Sequence, residues 1–170
     1  SGVFNPNVTC VLGNGVAVDI GKFLAELKSL EEAGVPKPKI YISDRAQVML
    51  PHHVLQDTYE EERLGKNSFG STKSGIAPFF SDKYAKIGLQ FNELYFDDIL
   101  EERLKKILEI KNAMFINLYG KEPLDFNTVL AELKKQREEI KPFLKDTSLF
   151  LRTAIKEGKK ILMEGQLGTM

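Results

Sequence analysis

The sequence has no tryptophan, a single cysteine and no excess of either charge. Each shortage excludes something. Cys10 stands alone, so no internal disulfide can staple the fold, which fits a reducing compartment. Twenty-four Lys and Arg balance 24 Asp and Glu, for a formal net charge of zero. Such a chain has no bulk attraction to nucleic acid or to an anionic membrane, and neither is expected as a main partner. No apolar run approaches the ~20 residues a membrane-spanning helix needs. No signal-peptide pattern is present. The only histidines, His52 and His53, are neighbours without a nearby cysteine. That makes a poor metal site, and a structural or surface role is expected. No Walker A pattern occurs anywhere in the sequence.

What is present is ordinary globular material. The 170 residues are 42% hydrophobic and 28% charged, enough for one sizeable core. Val8–Leu12 is a β-branched run closed by Gly13-Asn14-Gly15, which predicts a strand and tight turn. That turn lacks the third glycine of a dinucleotide fingerprint, where Val18 stands. Asp19 caps a helix expected over 20–33, with Phe23, Leu27 and Leu30 as its stripe and Gly34 and Pro36 as its end. Ile40–Ile42 predicts a second strand. Asp44 with Gln47 has the form of a capping box for a helix to about Leu64, bent at Pro51.

The C-terminal half is helical in pattern. One helix is expected from Asp97 or Asp98 to about Tyr119, burying Leu100, Leu104, Ile107, Phe115 and Leu118. Glu101–Lys105 and Glu102–Lys106 are spaced to pair along its wet side. A second helix is expected over 127–141, with Val129, Leu133 and Ile140 inward and Pro142 as the stop. A third spans about 146–157 and ends at Gly158, before a return strand at Ile161–Met163. The expected class is α/β, a partial and mostly parallel sheet of few short strands with a large helical subdomain. The expected division is 1–96 as the α/β portion, 97–158 as the helical subdomain, and 159–170 as return strand and truncated glycine loop. Ser1-Gly2 reads as a tag remnant, no initiator Met is present, and the chain stops within a glycine-rich stretch. A piece of a longer protein is therefore expected.

The stretch 65–80 is aperiodic and rich in glycine and serine, and it predicts a long loop of functional type. Within it, Phe69-Gly70-Ser71-Thr72-Lys73-Ser74-Gly75 gathers hydroxyls, amides and a lysine that can meet phosphate oxygens. A plain solvated loop is the competing reading. Asp82, Lys83 and Lys86 on the following helix read by themselves as a solvated face. Glu164-Gly165-Gln166-Leu167-Gly168 lies just past the last expected strand, where open α/β sheets hold ligands, or is simply a turn.

Several of these stretches together resemble the adenylosuccinate synthetase family. The residues that carry the resemblance are Val11-Leu12-Gly13-Asn14-Gly15-Val16, Leu50-Pro51-His52-His53, and Gly70-Ser71-Thr72 with Gly75-Ile76-Ala77-Pro78. Asp82-Lys83 and Glu164-Gly165-x-x-Gly168-Thr169 complete the set. The resemblance implies a ligase that uses GTP and magnesium (Mg2+) to join inosine monophosphate (IMP) and L-aspartate, giving adenylosuccinate. It implies a cytoplasmic homodimer. It implies that Thr72 meets the IMP phosphate, with Gly70, Ser71 and Gly75 supporting the loop. Lys86 would reach the neighbouring subunit's site, where the family usually has arginine; lysine keeps the charge without the bidentate fork. Ser74 stands where a second arginine is usual. The family's glutamine falls on Leu167, with Gln166 one place earlier. The catalytic residues and the magnesium and GTP sites are expected outside this segment, so the segment alone is expected to be inactive. The different class kept beside this is a helical protein-interaction or dimerisation module.

Overall fold

The structure is a computed structural model, and it describes residues 2–165. Strand β1 (Thr9–Leu12) runs parallel to β3 (Lys39–Ser43), in register from Thr9 opposite Lys39 to Leu12 opposite Ile42. Parallel neighbours need a crossover, and helix α1 (Ile20–Glu32) supplies it. The Asp19 carboxylate accepts the Lys22 amide at 3.0 Å, so α1 begins where the cap was expected. Two-residue strands β2 (Ala17–Val18) and β4 (Gln47–Val48) form a second parallel pair. The class is α/β, as the sequence predicts.

Helix α2 (Pro51–Leu64) leads through a 3-10 turn at Gly65–Asn67 and a short loop to α3 (Ile76–Tyr84). Then come α4 (Asp97–Met114), α5 (Phe126–Ile140), strand β5 (Leu144–Lys145) and α6 (Thr147–Lys156). Asp125 and Asp146 cap α5 and α6 by accepting the Thr128 and Leu149 amides at 2.8 and 2.9 Å. One buried cluster joins both halves of the chain. It takes Val18, Ile42, Val48 and Leu50 from the strands and their links, Leu100, Leu104 and Ile107 from α4, and Val129, Leu133 and Ile140 from α5. Burying each such side chain contributes ~1.5–3 kcal/mol. Trimming fully buried Leu104 to alanine is expected to cost about 2–5 kcal/mol.

Five local expectations are corrected. Asp44 and Gln47 do not cap a helix, because Gln47 is held in β4. The helix starts at Pro51, whose fixed φ and missing N–H suit the first helical position. The loop closes earlier than expected, since α3 already begins at Ile76 and carries Pro78 in its first turn. The third strand of the main sheet is β5, parallel to β3 at Ile42 opposite Leu144, and it is too short to show periodicity. Ile161–Met163 pairs with no strand among the described residues, and Leu162 is 93% exposed; an apolar run makes a strand only against a ladder partner. After Met114 the helix widens into a π turn, Phe115–Tyr119. The extra residue per turn shifts the phase. Leu118 is consequently exposed, and Tyr119 turns inward, its hydroxyl donating to Glu60 at 3.0 Å. Of the two expected helix pairs, Glu102–Lys106 forms, whereas Glu101 pairs with Lys134 of α5 at 2.7 Å.

Candidate functional site

The site is built on α2. The Leu50 amide donates to His53 Nδ1 at 2.9 Å, so the His53 proton sits on Nε2. Both histidines are buried and aim Nε2 at one oxygen of Asp82 on α3. His52 Nε2 donates at 3.1 Å, and His53 Nε2 approaches to 3.3 Å without good alignment. The other Asp82 oxygen accepts Lys111 Nζ of α4 at 2.6 Å, and Lys111 also donates to Gln56 at 2.9 Å. This buried group ties three helices together behind the glycine loop.

Its electrostatics follow from burial and pairing. Loss of solvent pushes His52 down to about 4 and lowers His53 as well, despite the nearby carboxylate. Burial alone would raise the Asp82 carboxyl. Contacts from His52, His53 and Lys111 outweigh it and hold the group well below the usual carboxylate range. His52, His53 and Asp82 are also the one trio of potential metal ligands among the described residues. They do not fit magnesium, which takes oxygen donors. Both imidazole nitrogens that face Asp82 carry protons, and Lys111 already compensates its charge. The expected structural role of the histidines agrees with this packing.

The loop lies against the outer turns of α2. Gly75 has φ +82°, and a Cβ there would stand 2.8 Å from the His53 carbonyl carbon and the Val54 nitrogen. Only glycine allows that approach. Asp57 accepts Ser71 Oγ at 2.6 Å and the Gly75 amide at 2.8 Å. Glu61, one turn further on, accepts the Phe69 and Gly70 amides at 3.0 Å each. Ser71 Oγ in turn accepts the Lys73 amide at 3.1 Å, and Lys73 adopts φ +54°. Thr72 stays exposed, its hydroxyl 2.7 Å from that of Ser74.

Gly70, Ser71, Thr72 and Gly75 are thus gathered on one loop, at the N-terminal end of α3. Lys86 is at the other end, exposed and without an ion-pair partner among the described residues. It occupies the left-handed position (φ +61°) just after α3, closed by Ile87 N–H to Asp82 C=O at 2.8 Å and Lys86 N–H to Lys83 C=O at 3.2 Å. The nine residues of α3 extend ~13 Å. Asp82, expected on a solvated face, is instead buried. Gln166 and Leu167 lie outside the described residues.

With that geometry in place, the likeness to known proteins is decisive at the level of family. The family model described as adenylosuccinate synthetase matches residues 1–170. The chain belongs to the adenylosuccinate synthetase family. A relative named adenylosuccinate synthetase from Thermoanaerobacter sp. (strain X514) is 40% identical over 170 residues. Another of that name, from Limosilactobacillus fermentum, is 41% identical over 170 residues. Each match takes in 100% of this chain and 40% of the relative, so the chain spans about 40% of the length of the curated synthetases it matches. A solved structure titled fully ligated adenylosuccinate synthetase from Plasmodium falciparum superposes with a TM-score of 0.79 at 24% identity. It covers 96% of this chain and 38% of that one, and it shows a shared fold.

Sequence reasoning missed the residues behind the loop. Lys111 sits in the apolar stripe between Ile107 and Phe115, and a charge in a buried stripe was a signal that could have found it. Asp57 and Glu61 share one face of α2 by their spacing, but nothing in sequence tied them to a loop that follows later.

Proposed function

We propose that the full protein containing this chain is the GTP-dependent ligase that joins IMP and L-aspartate. GTP gives its γ-phosphoryl group to the 6-oxygen of IMP, leaving GDP. The aspartate amine then attacks C6 and inorganic phosphate departs, yielding adenylosuccinate. The observation that carries this reading is the family match along the whole chain. The exposed Thr72 hydroxyl on a loop clamped to α2 supports it.

Thr72 donates to the IMP phosphate in this reading, and Gly70, Ser71 and Gly75 shape the backbone that presents it. Lys86 supplies positive charge to the partner subunit's site in a homodimer. The length of α3 between the loop and Lys86 supports a role in trans, since one phosphate is too small to touch both ends. Gln166 or Leu167 takes the place of the family's glutamine. GTP and magnesium bind through residues outside this chain, which contributes part of one nucleotide site and part of a dimer contact. The family match is the support for a cytoplasmic protein.

The alternative, a helical interaction module, draws on exposed Ile116, Leu118, Leu149 and Ile155. It leaves the clamped loop without a purpose. The test is direct: the full protein is supplied with IMP, GTP, magnesium and aspartate. Adenylosuccinate, GDP and phosphate should appear in equal amounts, and their absence from a folded preparation would remove this assignment.

A further inference from the structure

We propose that Asp57 is a positioning residue for the monophosphate site, committing the Ser71 hydroxyl to scaffold and leaving those of Thr72 and Ser74 to meet the ligand. This rests on the functional reading above. Asp57 is buried on α2 and uses both oxygens on the loop, one for Ser71 Oγ at 2.6 Å and one for the Gly75 amide at 2.8 Å. A serine hydroxyl has one proton. Ser71 gives its proton to Asp57, and its oxygen accepts the Lys73 amide at 3.1 Å. No side-chain proton remains on Ser71 to donate to a phosphate, although sequence places it in the middle of the cradle.

The neighbouring hydroxyls are different. Thr72 Oγ1 and Ser74 Oγ lie 2.7 Å apart and carry two protons, of which one lies between them. The other is free to donate outward. The Phe69 and Gly70 amides are held by Glu61, and the Gly75 amide by Asp57. The amides of Ser71, Thr72 and Ser74 have no intrachain partner among the described residues. Asp57 therefore sorts the hydroxyls: that of Ser71 is consumed against α2, and those of Thr72 and Ser74 keep a proton for a ligand. Left-handed Lys73 and the close seat of Gly75 on His53 and Val54 fix the same arrangement sterically.

A buried carboxylate under a phosphate site is repulsive, so its benefit has to lie in geometry. That sets up a sharp test in the full protein. Asp57→Ala, Ser71→Ala and the double variant are compared for kcat and for the KM of IMP and of GTP, with the unfolding midpoint recorded. Each single change should raise the KM of IMP about tenfold, and that of GTP by less than about twofold. The double should be no worse than Asp57→Ala, because both changes break one link. Multiplying effects would mean that the Ser71 hydroxyl contacts IMP itself and would overturn the proposal. So would an unmoved KM for IMP, or an equal rise for both nucleotides. If Asp57→Ala does not fold, Asp57→Asn keeps one acceptor for Gly75 without the charge. Its KM for IMP should lie above wild type; a value at or below wild type would show repulsion alone and overturn the role. Wild-type protein without turnover would sink the functional reading and this role with it, whereas wild-type turnover with unmoved variants sinks only the role.

Discussion

Lys111 and Asp82 form an ion pair 2.6 Å long, with side chains 3% and 6% exposed. It joins α4 to α3 and so connects the helical half of the chain to the helix that carries the loop. Breaking a buried pair leaves an uncompensated charge, which outweighs any gain in apolar contact. Lys111→Met is expected to destabilise the 170-residue chain by about 3–5 kcal/mol in chemical denaturation. Adding Asp82→Asn should recover part of that loss. A cost below about 1 kcal/mol would show the pair to be incidental.

The same cluster makes the fold acid-sensitive. His52 is lowered from its ordinary 6.5 to about 4, and His53 is lowered too, because burial disfavours the charged ring. Between pH 6.5 and about 4 the unfolded chain therefore binds more protons than the folded one, and stability falls as pH falls. Below that window, protonation of Asp82, whose folded-state value is depressed, removes stability further in the same direction. His53, Asp82 and Lys111, from α2, α3 and α4, are the titratable groups facing His52. His52→Gln should flatten the slope of stability against pH in this window by about one proton, ~1.4 kcal/mol per pH unit. An unchanged slope would contradict the burial argument.

Lys86 predicts a divergence between stability and function. It holds the left-handed position after α3, where glycine is the unstrained choice. Lys86→Gly should raise the melting temperature by about 2–4 °C, corresponding to ~1 kcal/mol. It should also lower turnover of IMP by the full protein at least about tenfold, since the cation is gone. Lower stability and unchanged turnover would show the residue to be a plain helix terminus.

The 170-residue chain alone is expected to be inactive and to bind IMP weakly. It carries a loop with few open donors, and affinity needs several at once. Titration followed by amide shifts should give no saturation at submicromolar IMP. Submicromolar binding centred on Thr72 would mean that the loop is sufficient by itself.

Elements with local signals were legible in the sequence. Asp19 announces α1 because a carboxylate cap and an apolar period lie within one helical turn, and α5 shows through its apolar period; the caps Asp125 and Asp146 are seen only in the structure. The second sheet was not, since Ala17–Val18 and Gln47–Val48 are pairs whose only reason to be strands is each other. Leu144–Lys145 is the same case. Asp44 misled because a capping pattern is cheap to match, and pairing across the sheet overrode it. The glycine loop was legible as chemistry through Thr72 and Gly75, but its holders were not. Asp57 and Glu61 meet it only after α2 and the loop fold back on each other, and Lys111 reaches Asp82 from 29 residues away.

In the proposed dimer, Thr72 of one subunit and Lys86 of its partner complete one site. Full-length Thr72→Ala and Lys86→Ala proteins should each be nearly inactive alone. Mixed under conditions that exchange subunits, they form hybrid dimers in which one site has both residues intact, and activity should return toward about a quarter of wild type for random pairing. A mixture no more active than its two components, with hybrid dimers demonstrated, would mean that Thr72 and Lys86 do not meet across the dimer.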